Sequence, residues 1–185
     1  MRVFYDTEFI DDGKTIDLIS IGMVREDGRE LYAVSSEFNS FALLTNPWLR
    51  KNVWPSLPTV GPDNKPCRCP DPKHRYGSLD RHHPDVRSRA QIARLVADFI
   101  LNTPDPQLWA YYAAYDHVAL AQLWGPMSGL PDGIPMQTDD LVTEAKRLGL
   151  RPVDLPEQPD GLHNALADAR HNLMRARFMD QIASR

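Results

Sequence analysis

Residues 16–38 run IDLISIGMVREDGRELYAVSSEF. Between Ile16 and Arg25 the apolar residues Leu18, Ile19, Ile21, Met23 and Val24 fall on both faces of an extended chain, which predicts a central strand covered on each side. Glu26-Asp27-Gly28-Arg29 is a hairpin turn with a usable glycine, and Glu30 to Phe38 predicts the returning strand. Upstream, residues 1–8 predict a short strand, β-prone at Val3, Phe4 and Tyr5 and bounded by the polar Asp11-Asp12-Gly13. Three antiparallel strands thus open the fold.

Downstream the period changes. Asn46-Pro47 predicts the start of a short helix that ends before Pro55. Residues 55–85 carry Pro55, Pro58, Pro62, Pro66, Pro70, Pro72 and Pro84 without periodicity, and predict an irregular excursion or mobile loop rather than a domain. Ser88 to Leu101 places Ile92, Leu95, Val96, Phe99 and Ile100 on one helical stripe. Gln107 to Tyr112 predicts a fourth strand, Asp116 to Trp124 a helix, and Thr138 to Leu148 another with Thr138 as cap. A last helix runs from about Asn164 to Ala183. The order describes an α/β fold: a mixed sheet, antiparallel first and then alternating with helices, flanked by helices.

At 185 residues and 21.0 kDa, 42% of them hydrophobic, the chain predicts one domain with a substantial core. A formal net charge of -4 is unlike that of long-duplex binders. A nucleic-acid partner would be touched over a few nucleotides, with metal ions supplying much of the positive charge. No run of about 18 apolar residues is present and no signal region follows Met1-Arg2, so the expectation is a cytoplasmic chain without a membrane span. Cys67 and Cys69 are too close in sequence to suggest a disulfide framework.

Three short contexts carry the chemistry: YDTEF, AAYDHVAL and GLHNALADAR. Asp6 and Glu8 are two apart on a strand and leave the same face. Paired carboxylates resist burial unless a cation such as Mg²⁺ or Mn²⁺ sits between them. A solvent-facing polar edge is the alternative, against which stands the apolar bulk of Phe4, Tyr5, Phe9 and Ile10. Asp116 follows a strand and opens a helix, where it could reach a metal or simply cap the helix. His163 and Asp168 would diverge by roughly 140° on one helix. They converge if His163 lies in the loop after Pro159-Asp160-Gly161 and Asp168 sits one turn into the helix. His163 is then a general base near neutral pH; otherwise the two are a surface histidine and a helix-face aspartate.

In this order the contexts resemble the DEDDh branch of the 3′-to-5′ exonucleases. Tyr115-Asp116 matches its second motif, although the asparagine often found upstream is absent, with Tyr112 and Ala113 in that region. The sister branch has tyrosine four residues before the last aspartate, and here that residue is Asn164. Within the branch, FYDTEFI (4–10), residues 16–38 and AYDHVALAQLWGPM (114–127) are most similar to the actinobacterial polyadenylate-specific 3′-exoribonucleases; the segment at about 60–86 looks like an insertion. The resemblance implies an RNase H-like fold and release of nucleoside 5′-monophosphates from single-stranded RNA 3′ ends by a homodimer. It implies two Mg²⁺ (or Mn²⁺) ions held by Asp6, Glu8, Asp116 and Asp168, with His163 as base. Thr7, Glu8, Phe9 and His163 would touch substrate, and poly(A) preference belongs to those relatives; for Phe9 the two readings are a ring packed on the terminal base or sugar and a core residue. Competing readings are a DNA exonuclease of the proofreading or repair type and a catalytically silent nucleic-acid-binding domain.

Two features of the insertion stand apart. Cys67, Cys69, His74, His82 and His83 could bind Zn²⁺, though the C-x-C spacing is tighter than in usual zinc modules. Lys65, Arg68, Lys73, His74, Arg75, Arg81 and Arg87 make it locally basic, so that it either guides a strand or is a plain solvated loop. Leu108, Trp109, Tyr111 and Trp124 read as core or interface.

Overall fold

The computed structural model describes residues 1–61 and 72–184. Strands β1 (Arg2–Asp11), β2 (Ile16–Arg25) and β3 (Glu30–Ser35) form the expected antiparallel meander. β2 has the bounds read from its pattern. β1 runs past residue 8 because a register shift between Glu8 and Phe9 lets pairing with β2 continue. β3 stops short of Phe38, where the Ser35 hydroxyl accepts the Glu37 N–H and turns the chain.

Two six-residue helices follow, α1 (Ser40–Thr45) and α2 (Pro47–Asn52). The Asn46 side chain caps α2 by accepting the Trp48 and Leu49 N–H groups, as the Asn-Pro pair predicts. α1 is too short to show a period and was not expected.

At its described ends, the stretch read as an irregular excursion holds short regular elements. β4 (Thr59–Val60) pairs antiparallel with β5 (Ser78–Leu79), with the single-turn α3 (Lys73–Tyr76) before β5. The Asp80 N–H donates to the Pro58 carbonyl at 2.9 Å, and Trp54 Nε1 to the Tyr76 carbonyl at 3.0 Å. β6 (Val86–Arg87) then joins the main sheet parallel to β3.

α4 (Arg89–Leu101) opens with a capping box between Ser88 and Gln91. β7 (Gln107–Ala110) lies parallel to β1, and α5 (Ala114–Ala121) starts two residues earlier than predicted. β8 (Asp139–Asp140) leads into α6 (Leu141–Arg147), which is capped by Asp140 rather than Thr138. The Thr138 hydroxyl instead lies 2.6 Å from that of Tyr5. α7 (Ala165–Ala183) is capped by Asn164, whose side chain accepts the Ala167 N–H.

The main sheet has the order β6-β3-β2-β1-β7-β8. Val3, Tyr5, Ile21 and Met23 point to one face, against Ile92, Val96 and Leu120 of α4 and α5. Phe4 and Val24 point to the other, against Leu141 of α6 and Ala169 and Leu173 of α7. The central strand β2 is covered on both sides, as its double-faced apolar pattern requires. Among the described residues no helix is long and apolar enough to cross a membrane.

Candidate active site

Side-chain alternation along β1 puts Asp6 and Glu8 on the same face as Phe4, toward α7. Phe4 locks that helix to the sheet. Across the ladder from Asp6 stands Gly22, and a Cβ there would overlap the Ala165 carbonyl and the Leu166 nitrogen. Only a glycine lets the first turn of α7 rest on the β2 backbone. That close approach delivers Asp168, one turn in, to the carboxylates of β1: oxygens of Asp6, Glu8 and Asp168 all lie within 4.8 Å of one another.

Asp116 arrives by a different route. The β1–β7 ladder ends at Phe4 and Trp109, so the two strands part beyond it. Backbone groups left without a strand partner must find one elsewhere. The Thr7 N–H and hydroxyl both donate to Asp116 Oδ1, at 2.8 and 2.6 Å, and Asn172 Nδ2 donates to the Tyr5 carbonyl at 3.2 Å. Asp116 is third in α5, whose cap is Ala113, so the capping alternative for Asp116 is set aside. Thr7 lines the same cleft but is buried, with both donors spent on Asp116.

His163 sits in the turn ahead of α7 with φ +63°, a left-handed backbone that costs a non-glycine residue about 1–3 kcal/mol. Three contacts hold it there. Its N–H donates to Asp168 Oδ2 at 3.0 Å, its carbonyl accepts from the Ser56 hydroxyl at 2.6 Å, and its ring meets Trp48 edge-on with centroids 4.8 Å apart.

The electrostatics are those of carboxylates crowded away from water. Burial, with repulsion from Asp168 and Asp116, pushes Glu8 up to about 8. Burial and then repulsion from Asp116, Glu8 and Asp168 raise Asp6 well above the usual carboxylate range. Burial also pushes Asp116 up to about 6, against its hydrogen bonds from Thr7, and raises Asp168. An all-oxygen donor set that repels itself fits a hard divalent cation, which would relieve the repulsion.

Two curated proteins, from two strains of Mycobacterium tuberculosis, are each named a 3′-5′ exoribonuclease. Each is 42% identical over 181 residues, spanning 97% of this chain and 93% of its own length. This chain belongs to the 3′–5′ exoribonuclease family. It is by that membership a hydrolase. No protein-family model matches it. Among solved structures it is similar to E. coli exonuclease I in a zinc-bound complex with single-stranded DNA. That match has a TM-score of 0.58 and 13% identity, over 100% of this chain and 41% of that one. A product-bound exonuclease I matches with a TM-score of 0.54 and 15% identity, over 97% of this chain and 43% of the other. These identities speak to the fold alone, which is the RNase H-like mixed sheet.

The exoribonuclease's cleft has a volume of about 510 Å³ and aromatic walls. Phe9 stacks on Tyr115 with centroids 5.9 Å apart, while Trp48 and Tyr112 stand half-exposed at the rim. Of the residues read from sequence as core or interface, Leu108 is core with Trp124 packed against it, Trp109 and Tyr111 pack against the core on the opposite face of the sheet, and Tyr111 also lines the cleft. Arg175 lies with its guanidinium carbon 4.0 Å from the Tyr111 ring centroid and donates to Asn172 Oδ1 at 3.0 Å. Sequence reading passed over Trp48, Asn172 and Arg175. For the last two the signal was their spacing of four and seven from Asp168, which sets them on one face of α7.

Of the zinc candidates, Cys67, Cys69 and the His74 side chain fall outside the description, as do Lys65 and Arg68. His83 Nδ1 accepts the Asp85 N–H at 3.2 Å. Among the described residues the one group of three or more carboxylate, imidazole or thiol side chains close enough to share a metal is Asp6, Glu8 and Asp168.

Proposed function

We propose that the chain shortens single-stranded RNA from its 3′ end by metal-assisted hydrolysis, releasing nucleoside 5′-monophosphates. The observation that carries this reading is the gathering of Asp6, Glu8 and Asp168 oxygens within 4.8 Å, with the His163 backbone hydrogen-bonded to one of those carboxylates. A binding or scaffold module gains nothing from burying like charges together. Asp6, Glu8, Asp168 and, as fourth ligand, Asp116 would hold two divalent cations, Mg²⁺ or Mn²⁺. When bound, these supply the positive charge that stabilises the attacking and leaving oxygens of in-line displacement. Thr7 fixes the Asp116 carboxylate. His163, which lines the cleft, takes the proton of the attacking water. Phe9 and Tyr115 offer ring faces to the terminal base or sugar, the contact on which single-strand recognition relies.

The RNA substrate follows the name carried by the Mycobacterium relatives. The poly(A) preference, the homodimer and the cytoplasmic setting follow the sequence resemblance, as does a single exonuclease domain with the insertion at about 60–86. End-labelled RNA and DNA oligonucleotides, with adenosine or mixed 3′ tails, test the reading in Mg²⁺, Mn²⁺ or EDTA. Stepwise shortening of RNA with either metal and none in EDTA is expected. Shortening of DNA alone would move the assignment to the repair type, and no shortening in any metal would end it.

A further inference from the structure

We infer that Ser56 is a positioning residue for the proposed base, acting through the backbone of His163. The inference rests on His163 being that base. The two residues are 107 apart in sequence, yet the Ser56 hydroxyl lies 2.6 Å from the His163 carbonyl oxygen. It also lies 2.8 Å from the Val53 carbonyl, the contact a serine makes when it merely closes its own turn. A hydroxyl has one proton, and the shorter contact belongs to His163.

The geometry explains why such a restraint is needed. His163 holds a left-handed backbone that a non-glycine residue leaves unless its surroundings over-determine it. Of its three restraints, the N–H bond goes to Asp168, a carboxylate claimed by the metal in the proposed function. The Trp48 contact touches only the ring, and Trp48 is itself half-exposed. Among the described residues, Ser56 alone bonds the His163 backbone independently of the acidic cluster. It stands in the 54–56 turn, between Trp54, whose indole donates to the Tyr76 carbonyl, and Pro58, whose carbonyl accepts from Asp80. The described base of the insertion is therefore mechanically continuous with the His163 turn, which gives the insertion a part in holding the imidazole.

Steady-state kinetics on labelled RNA with Ser56→Ala, Ser56→Thr and His163→Ala test this, with the Tm of each protein measured alongside. Ser56→Ala is expected to lower kcat by about ten- to a hundredfold at a KM within twofold of the parent. Ser56→Thr, which keeps the hydroxyl, should recover most of that loss. A Ser56→Ala kcat within twofold of the parent, beside an inactive His163→Ala, overturns the role of Ser56 and leaves the base standing. A Ser56→Ala protein that fails to fold, or a kcat loss that Ser56→Thr does not relieve, assigns the hydroxyl to the Val53 turn and overturns it as well. Near-parental turnover by His163→Ala instead removes the base itself, whatever Ser56 does.

Discussion

Glu8 shows what the acidic cluster does to a single side chain. Burial and its neighbours push it up to about 8, while an unfolded chain leaves a glutamate at its ordinary value of 4.5. Below 4.5 both states hold the proton and the contribution to stability is complete. Between 4.5 and 8 the unfolded state gives up its proton and the folded state keeps it, so stability falls as pH rises. Above 8 the loss is complete. The metal-free protein should therefore melt at progressively lower temperature from pH 4.5 to 8, and Glu8→Gln should flatten that slope. At pH 8 the variant should be more stable than the parent by on the order of a few kcal/mol in EDTA, while turning over RNA at least about a hundredfold more slowly. Thermal melts in EDTA across this range check it, and parallel slopes for parent and variant would sink it. Sequence reading could name Glu8 because D-x-E on a strand shares a face. It could not see Ser56 or Trp48, which come to His163 by a path more than a hundred residues long and carry no local pattern of their own.

At the scale of elements, the site depends on how closely α7 sits on the sheet. Gly22 makes that approach possible, since a Cβ would strike the backbone of Ala165 and Leu166 rather than a side chain that could swing away. Gly22→Ala should lift the first turn of α7 by about 1 Å and draw Asp168 away from Asp6 and Glu8. A displacement near 1 Å is worth about a hundredfold in kcat, and overpacking costs about 1–3 kcal/mol of stability. Activity within twofold of the parent in a folded Gly22→Ala protein would show that α7 is not held by this contact. The same elements show which parts of the fold were legible. β2, α4 and α7 were readable because their apolar periods are long and their caps or turns are explicit: Gly28, Ser88 and Asn164. α5 began two residues early because Ala113-Ala114 carries no capping side chain, and α6 took Asp140 because Thr138 was already committed to Tyr5. The short pieces α1, β4 and β5 carry two to six residues each, too few for any period to emerge.

The molecule as a whole is acidic, with a formal net charge of -4, and it gathers buried carboxyl groups where it is proposed to receive a polyanion. Electrostatics forbid that encounter unless cations arrive with the substrate or before it. Bound divalent metal should then be a folding ligand as well as a cofactor, because the unfolded chain has no cluster to bind it. A ligand at about a hundred times its Kd adds about 2.7 kcal/mol to stability, which for a chain of this size corresponds to a Tm rise of about 5–10 °C. The rise should be larger at pH 8 than at pH 5, since protons on Asp6, Glu8, Asp116 and Asp168 compete with the metal, all four being shifted upward. Asp6→Asn should abolish most of it. Scanning calorimetry with Mg²⁺ or Mn²⁺ against EDTA at the two pH values measures it directly. A rise that is equal at both pH values, or that survives Asp6→Asn unchanged, would place the metal elsewhere on the protein and break the link between the acidic cluster and the chemistry proposed for it.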